Sequence, residues 1–271
     1  MILANGSSQY QVESLVAETN VYRVYVCKDV NTERRYLLQI ARSIEHNGGL
    51  ERAAYVLRTL HRYASAYQAD YEADNPGKSL GYELLMPRIV DSFVSDPQGN
   101  RRVNMLEIVG VDELPKLVPL AHLARKDRVR IDLPSSPWIM GRLLKLLGLA
   151  HGHGVANTVV TGNNILLEPD EHRVIVFDWS SARIFQEDTP KNFARDDIAS
   201  AASAVIDALS GRTGGLDIPD VDDTTQGYAD YLRSLATGRA SDTHAVHQRF
   251  YEIVDGVWER KFRPLTTIPL T

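Results

Sequence analysis

Apolar and polar positions change their period along the chain. Residues 10–15, 21–29 and 34–41 are rich in Val, Tyr and Leu, and Asn31-Thr32 supplies a turn between the last two, which predicts three strands. Val24 and Val26 alternate with Tyr25 and Cys27, the pattern of a sheet with one packed face and one wetter face. The period then becomes helical: Leu50, Ala54, Leu57 and Leu60 mark a helix over 50–71, broken by Asn75-Pro76-Gly77. Two further strands, 84–94 and 101–109, flank the turn Asp96-Pro97-Gln98-Gly99-Asn100. Four prolines (115, 119, 134 and 137) punctuate a connector. From Trp138 onward, Met140, Leu143, Leu144 and Leu147 mark a strong helix. A strand–turn–strand segment at 165–184 precedes helices at 197–209, 225–236 and 244–261. The order predicts a five-stranded lobe carrying one helix, residues 1–109, followed by a mainly helical lobe, residues 110–271.

Composition narrows the class. The 271 residues are 44% hydrophobic and 24% charged, with a net charge of −5, which gives ample side chain for a core. Lys and Arg are scattered along an acidic chain, so a nucleic-acid partner, which needs a concentrated basic face, is not expected. Cys27 is the one cysteine, which excludes an intrachain disulfide and fits a reducing compartment. Residues 1–6 lack the basic-then-apolar pattern of a secretory signal, and Asn5-Gly6-Ser7, although a glycosylation sequon, then carries no weight. The most apolar stretch, 143–150, is too short to span a bilayer. A cytoplasmic chain with no membrane insertion is expected.

Two segments carry the chemistry. The first runs from Ala150-His151-Gly152-His153-Gly154 through Asn157-Thr158-Val159 to Asn163-Asn164-Ile165-Leu166-Leu167, and the second is Val174-Ile175-Val176-Phe177-Asp178-Trp179-Ser180. Together they resemble the catalytic and metal-binding loops of the protein kinase family. There a helix ends in a His-x-x-Gly turn, a loop ends in an Asn before an apolar strand, and a second strand ends in an Asp-Phe-Gly-like triplet. The resemblance puts Asn164 and Asp178 on the two metal-binding positions. Arg195-Asp196-Asp197-Ile198-Ala199-Ser200 resembles the start of the central helix of the helical lobe. Residues 101–109, with Glu107, resemble the strand that enters the hinge. It implies an α+β, two-lobed protein-kinase-like fold with a five-stranded antiparallel first lobe, and Gln39 and Glu107 as the positions that would face a nucleotide.

The departures bear on function. Kinase catalysis positions phosphates and uses a loop Asp to accept the substrate hydroxyl proton. In this register Val159 holds that position, and a valine accepts no proton. Gln39 stands where the phosphate-pairing Lys belongs and brings no charge. Ala17, Thr19 and Tyr22 replace the glycines that let backbone approach phosphate. Glu51 is nearest to the helix Glu, but helical spacing puts Ala53 there. Only 19 positions separate Asp178 from Asp197, with no Ala-Pro-Glu-like anchor for a peptide-docking segment.

These departures predict a pseudokinase with no catalytic residue and no expected cofactor. It would act as a scaffold or allosteric regulator through a protein partner. The rival expectations are a phosphotransferase on a small molecule or lipid, with Mg-ATP held through Asn164 and Asp178, and a nucleotide sensor without turnover. Asn164 is instead expected to brace the loop by side chain–backbone bonds, Asp178 to cap its own turn, and Asp197 to cap a helix or, as the resemblance implies, to brace the catalytic loop. His151 and His153 lack a third ligand for a metal. Gly77-Lys78-Ser79 lacks the first glycine of a phosphate loop. Arg23 and Lys28 read as solvated charge, and the run Trp258-Glu259-Arg260-Lys261-Phe262-Arg263-Pro264 as charge around a helix end, with partner docking as the alternative.

Overall fold

The computed structural model describes residues 2–6, 8–111, 114–259, 261 and 264–270. The chain divides into two compact units: Met1–Pro115 together with Asp178–Ser181, and Lys116–Phe177 together with Ala182–Thr271.

The first unit is one antiparallel sheet and one long helix. Its strands are β1 (Ile2–Asn5), β2 (Ser8–Glu18), β3 (Tyr22–Asp29), β4 (Arg35–Ala41), β5 (Arg88–Ser95) and β6 (Arg101–Glu107), in the order β1-β2-β3-β4-β6-β5. The sheet therefore has six strands, not five. The additional strand forms because the chain turns back after Asn5, with Gly6 at φ +58, and pairs Asn5 with Ser8 and Ile2 with Gln11. Asn5 Nδ2 then donates to both carboxylate oxygens of Asp91 on β5, at 3.0 and 2.8 Å, so the first and last strands of the curled sheet are tied together.

Closure corrects the expectation of a wetter face. Leu3, Tyr10, Cys27, Tyr36, Leu38, Ile40, Val103 and Met105 form a core inside the curl. On the opposite face Val24, Leu37, Gln39, Ala41, Asn104 and Leu106 are buried as well. Both faces are therefore buried along the central strands β4 and β6, whereas Leu15 and Val16 on β2 and Val90 and Val94 on β5 stay exposed. Cys27 is fully buried, and that burial pushes its thiol pKa up to about 12, the state of an inert core residue. Helix α1 (Asn47–Asp74) buries Leu50, Ala53, Ala54, Val56, Leu57, Leu60 and Ala64, one stripe at helical spacing, and Asn104 Nδ2 donates to the Leu50 carbonyl at 2.9 Å.

The second unit is mainly helical. It comprises β7 (Val118–Pro119), α2 (Leu120–Arg125), β8 (Val129–Ile131), α3 (Ser136–His151), β9 (Val155–Ala156), β10 (Ile165–Glu168), β11 (Arg173–Val176), β12 (Arg183–Ile184), α4 (Lys191–Ser210), α5 (Gln226–Ala236), α6 (Thr243–Val257) and β13 (Thr267–Pro269). Helix α3 is buried around most of its circumference, which its mostly apolar sequence requires. Helix α4 starts at Lys191, six residues before the expected start, because Pro190 sets its first turn. Asp197 therefore lies inside α4 and is not its N-cap. Helix α6 ends at Val257. Of the basic run that follows, Arg260, Phe262 and Arg263 lie outside the described residues. Among the described residues no helix is long and apolar enough to cross a membrane.

Candidate functional site

The residues singled out by sequence fall into two groups, one in each unit. In the first unit they meet on the α1 face of the sheet. Tyr22 opens β3, and alternation along the strand aims it, like Val24 and Val26, at that face. Gln39 lies on the neighbouring β4, opposite Val24 on one side and Asn104 on the other. Tyr22 is 3% exposed and Gln39 is 1% exposed. The Tyr22 hydroxyl lies near enough to the Asp178 carboxylate and the Gln39 side chain for both to act on its acidity. Burial is the main cause that drives the Tyr22 pKa well above the usual phenol range. The Asp178 charge and its hydrogen bond add to the rise, and Gln39 opposes it.

The segment carrying Asp178 is pinned within the same unit. Ser180 N–H donates to Asp178 Oδ1 at 2.8 Å, the expected cap of its own turn, and Arg52 Nη1 donates to the Ser180 carbonyl at 2.9 Å. A Cβ placed on Gly49 of α1 would sit 3.6 Å from Ser180 Cβ. Trp179, the second residue of the triplet, is fully buried. Glu51 faces outward and pairs with Arg102 at 3.2 Å, and Ala53 is 1% exposed, so neither reaches Gln39 in the manner of a helix Glu and a strand Lys. Arg23 and Lys28 form surface ion pairs with Glu18 and Glu33 at 2.9 and 2.7 Å.

Glu107, the last residue of β6, is 6% exposed. Its carboxylate is clasped by Arg88 from β5, with Nε at 2.7 Å, and by Arg34 from the turn between β3 and β4. The pair of guanidiniums satisfies both oxygens.

In the second unit the loop after α3 is organised by one buried carboxylate. Asp197 is 1% exposed. Its Oδ2 accepts from the Asn157 N–H at 2.7 Å and meets His151 Nε2 at 3.0 Å, while Oδ1 accepts from the Thr158 N–H at 2.7 Å. The other ring nitrogen of His151 bonds the Thr243 hydroxyl at 2.6 Å, so neither nitrogen is open to a metal. Among the described residues no three His, Cys, Asp or Glu side chains group as metal ligands. The carboxylate holds Thr158 at φ +67, a strained conformation for a β-branched residue. Gly154 at φ +68 is required nearby, because an added Cβ would lie 2.3 Å from the Glu187 carbonyl.

Asn164 is 6% exposed and its amide donates to the Val159 carbonyl at 2.8 Å, while the Val159 N–H donates to Asn157 Oδ1 at 3.1 Å. Asn164 thus stitches the loop through backbone groups, and Val159, expected from the sequence at the proton-acceptor position, brings only an alkyl side chain.

What sequence reasoning missed is the role of Tyr22. It was recognised as a lost glycine, and its place on the buried phase of β3 was the signal that its ring enters the site.

No family model matches the chain, and no curated protein matches it. Solved structures do. The BubR1 kinase domain superposes with a TM-score of 0.62 at 13% sequence identity, over 95% of this chain and 86% of that one. Vaccinia related kinase 3 superposes with a TM-score of 0.63 at 14% identity, over 94% of this chain and 90% of that one. The chain has the protein-kinase-like fold: α+β, with a curled antiparallel sheet in one lobe and a mainly helical second lobe.

Proposed function

We propose that this chain is a pseudokinase, a kinase-shaped domain that does not transfer phosphate and acts by binding other proteins. The observation that carries the reading is the buried Tyr22 hydroxyl between Gln39 and Asp178. A kinase needs an ammonium at the first of those positions and a metal-binding carboxylate at the second. Here a neutral amide and a phenol occupy the carboxylate's surroundings, and the phenol ring stands where backbone would have to approach phosphate.

The donor set does not fit a magnesium-bound nucleotide. Mg²⁺ asks for oxygen ligands in near-octahedral array. One oxygen of Asp178 is already spent on Ser180 N–H, the buried Tyr22 hydroxyl crowds the same carboxylate, and the Asn164 amide braces Val159. No proton acceptor replaces the missing Asp, since Val159 stands at its position. The fold is nevertheless kept with two well-packed cores, as a domain valued for its surface would require.

Thermal unfolding with and without ATP, each with and without Mg²⁺, tests the reading. A ligand at about 100 times its Kd stabilises the folded state by roughly 2.7 kcal/mol. The expected result is no shift at millimolar Mg-ATP. A Mg²⁺-dependent shift that disappears in a folded Asp178→Ala variant would replace the proposal with a nucleotide-binding domain.

A further inference from the structure

The helical unit carries a cavity of about 690 Å³ walled by α2, the 161–163 turn and the C-terminal end of α4. Its volume is that of a small-molecule site, well above what a lone ion fills. Leu120, Ala121, Ala124, Ala204 and Ala208 give it an apolar wall. Its charged groups are Arg125, Arg128, Arg212 and Asp207. Three guanidiniums against one carboxylate leave two positive charges on a chain whose net charge is −5.

Some arginines of this chain, Arg34 and Arg88 among them, are held by carboxylates, and others, such as Arg52, are held by backbone. Among the described residues none of the three cavity arginines has a carboxylate within 4.0 Å. Arg125 is instead steadied by a neutral partner, its Nη1 donating to Asn163 Oδ1 at 3.3 Å. Asp207 spends Oδ1 on the Gly214 N–H at 2.8 Å. Burial raises its carboxyl pKa, and the Gly214 N–H and the charge of Arg125 oppose the rise.

The walls are preformed. The Ala121 N–H donates to the Gly162 carbonyl at 2.9 Å, and a Cβ on Gly162 would lie 3.1 Å from Ala121 Cβ. The Leu270 N–H donates to the Arg128 carbonyl at 2.8 Å, and Leu270 packs so tightly on Gly211 that an added Cβ there would sit 2.3 Å from it. The C-terminal strand thereby fastens the rim.

We infer that this cavity binds a phosphomonoester carried on a small apolar body, the guanidiniums and the Thr161 and Thr213 hydroxyls taking the phosphate and the Ala/Leu wall taking the body. A phosphomonoester carries about −1.5 to −2 charge at neutral pH, which matches the local excess. Arginine forks suit its oxygens. The inference does not depend on whether a nucleotide binds at Asp178.

Calorimetric titration of the full chain with phenyl phosphate, inorganic phosphate and phenol, in 0.15 M salt, tests it. Phenyl phosphate is expected to bind 1:1 and roughly tenfold or more tighter than inorganic phosphate, with phenol not binding. Because the arginines are exposed, Arg125→Ala and Arg212→Ala keep the fold, checked by circular dichroism. Each is expected to weaken phenyl phosphate by roughly tenfold or more. A phosphoserine peptide in parallel separates the sources: tighter binding than phenyl phosphate assigns a protein-borne phosphate, equal or weaker binding a small molecule. No binding of phenyl phosphate at about 10 mM, well above the Kd expected of a phosphate site, overturns the proposal. So does binding unchanged in the Arg125→Ala/Arg212→Ala double variant. That variant is also the background in which the Mg-ATP titration is repeated, so that phosphate captured here is not mistaken for nucleotide at Asp178.

Discussion

Tyr22→Phe removes one oxygen atom and leaves the ring in place. In the wild-type chain that oxygen lies beside the Asp178 carboxylate and the Gln39 side chain, both of which act on its acidity, in a site where Tyr22 and Gln39 are at most 3% exposed. A hydrogen bond to a charged group contributes about 1.5–3 kcal/mol, and a buried amide left without its acceptor costs about 1–3 kcal/mol. Asp178 keeps the Ser180 N–H, which softens the loss. Together these give about 3 kcal/mol. At about 2–4 °C per kcal/mol for a protein of this size, the melting temperature should fall by about 6–12 °C. Urea unfolding followed by tryptophan fluorescence reads the change, and Trp179 is a reporter inside the same unit, one residue from the carboxylate. Adding Gln39→Leu should recover part of the loss, because replacing both partners by apolar groups leaves no stranded amide. A Tyr22→Phe variant within about 0.5 kcal/mol of wild type, the range of an ordinary surface substitution, would refute these contacts. The filled-site argument would fall with it.

The buried carboxylate of the second unit makes a comparable claim. Asp197→Ala strands two backbone N–H groups and a ring nitrogen, and should destabilise the chain by about 3–5 kcal/mol; a loss under about 1 kcal/mol in urea unfolding would show that Asp197 does not brace the loop. Alkaline pH should unfold the protein. The buried phenols Tyr22 and Tyr228 have pKa values raised above 10.0, chiefly by burial, so above pH 10 the unfolded chain loses protons that the folded chain retains. Each then removes about 1.4 kcal/mol of stability per pH unit, with the full contribution present below pH 10. Absorbance at 295 nm should show these two ionising only with unfolding, and ionisation in the folded protein would contradict their burial.

The sequence by itself determined the elements and their order, because hydrophobic period and turn residues act over a few neighbours. The strands at 22–29 and 35–41, the long helix, and the loop from Asn157 to Asn164 followed by Asp178 were all legible. Val159 and Gln39 were legible as the residues standing where the resemblance puts a base and a cation. Gly6 carries a turn signal for β1 inside the stretch that also matches a sequon. Tertiary structure alone decided what those residues touch. Tyr22 meets Asp178 across 156 positions of sequence. Asp197 reaches back 40 residues to Asn157, and Arg34 reaches forward 73 to Glu107. Residue type announces what a side chain can donate or accept. Which partner it finds depends on strands and loops distant in sequence being packed together with water excluded, a property of the whole fold that no local pattern encodes.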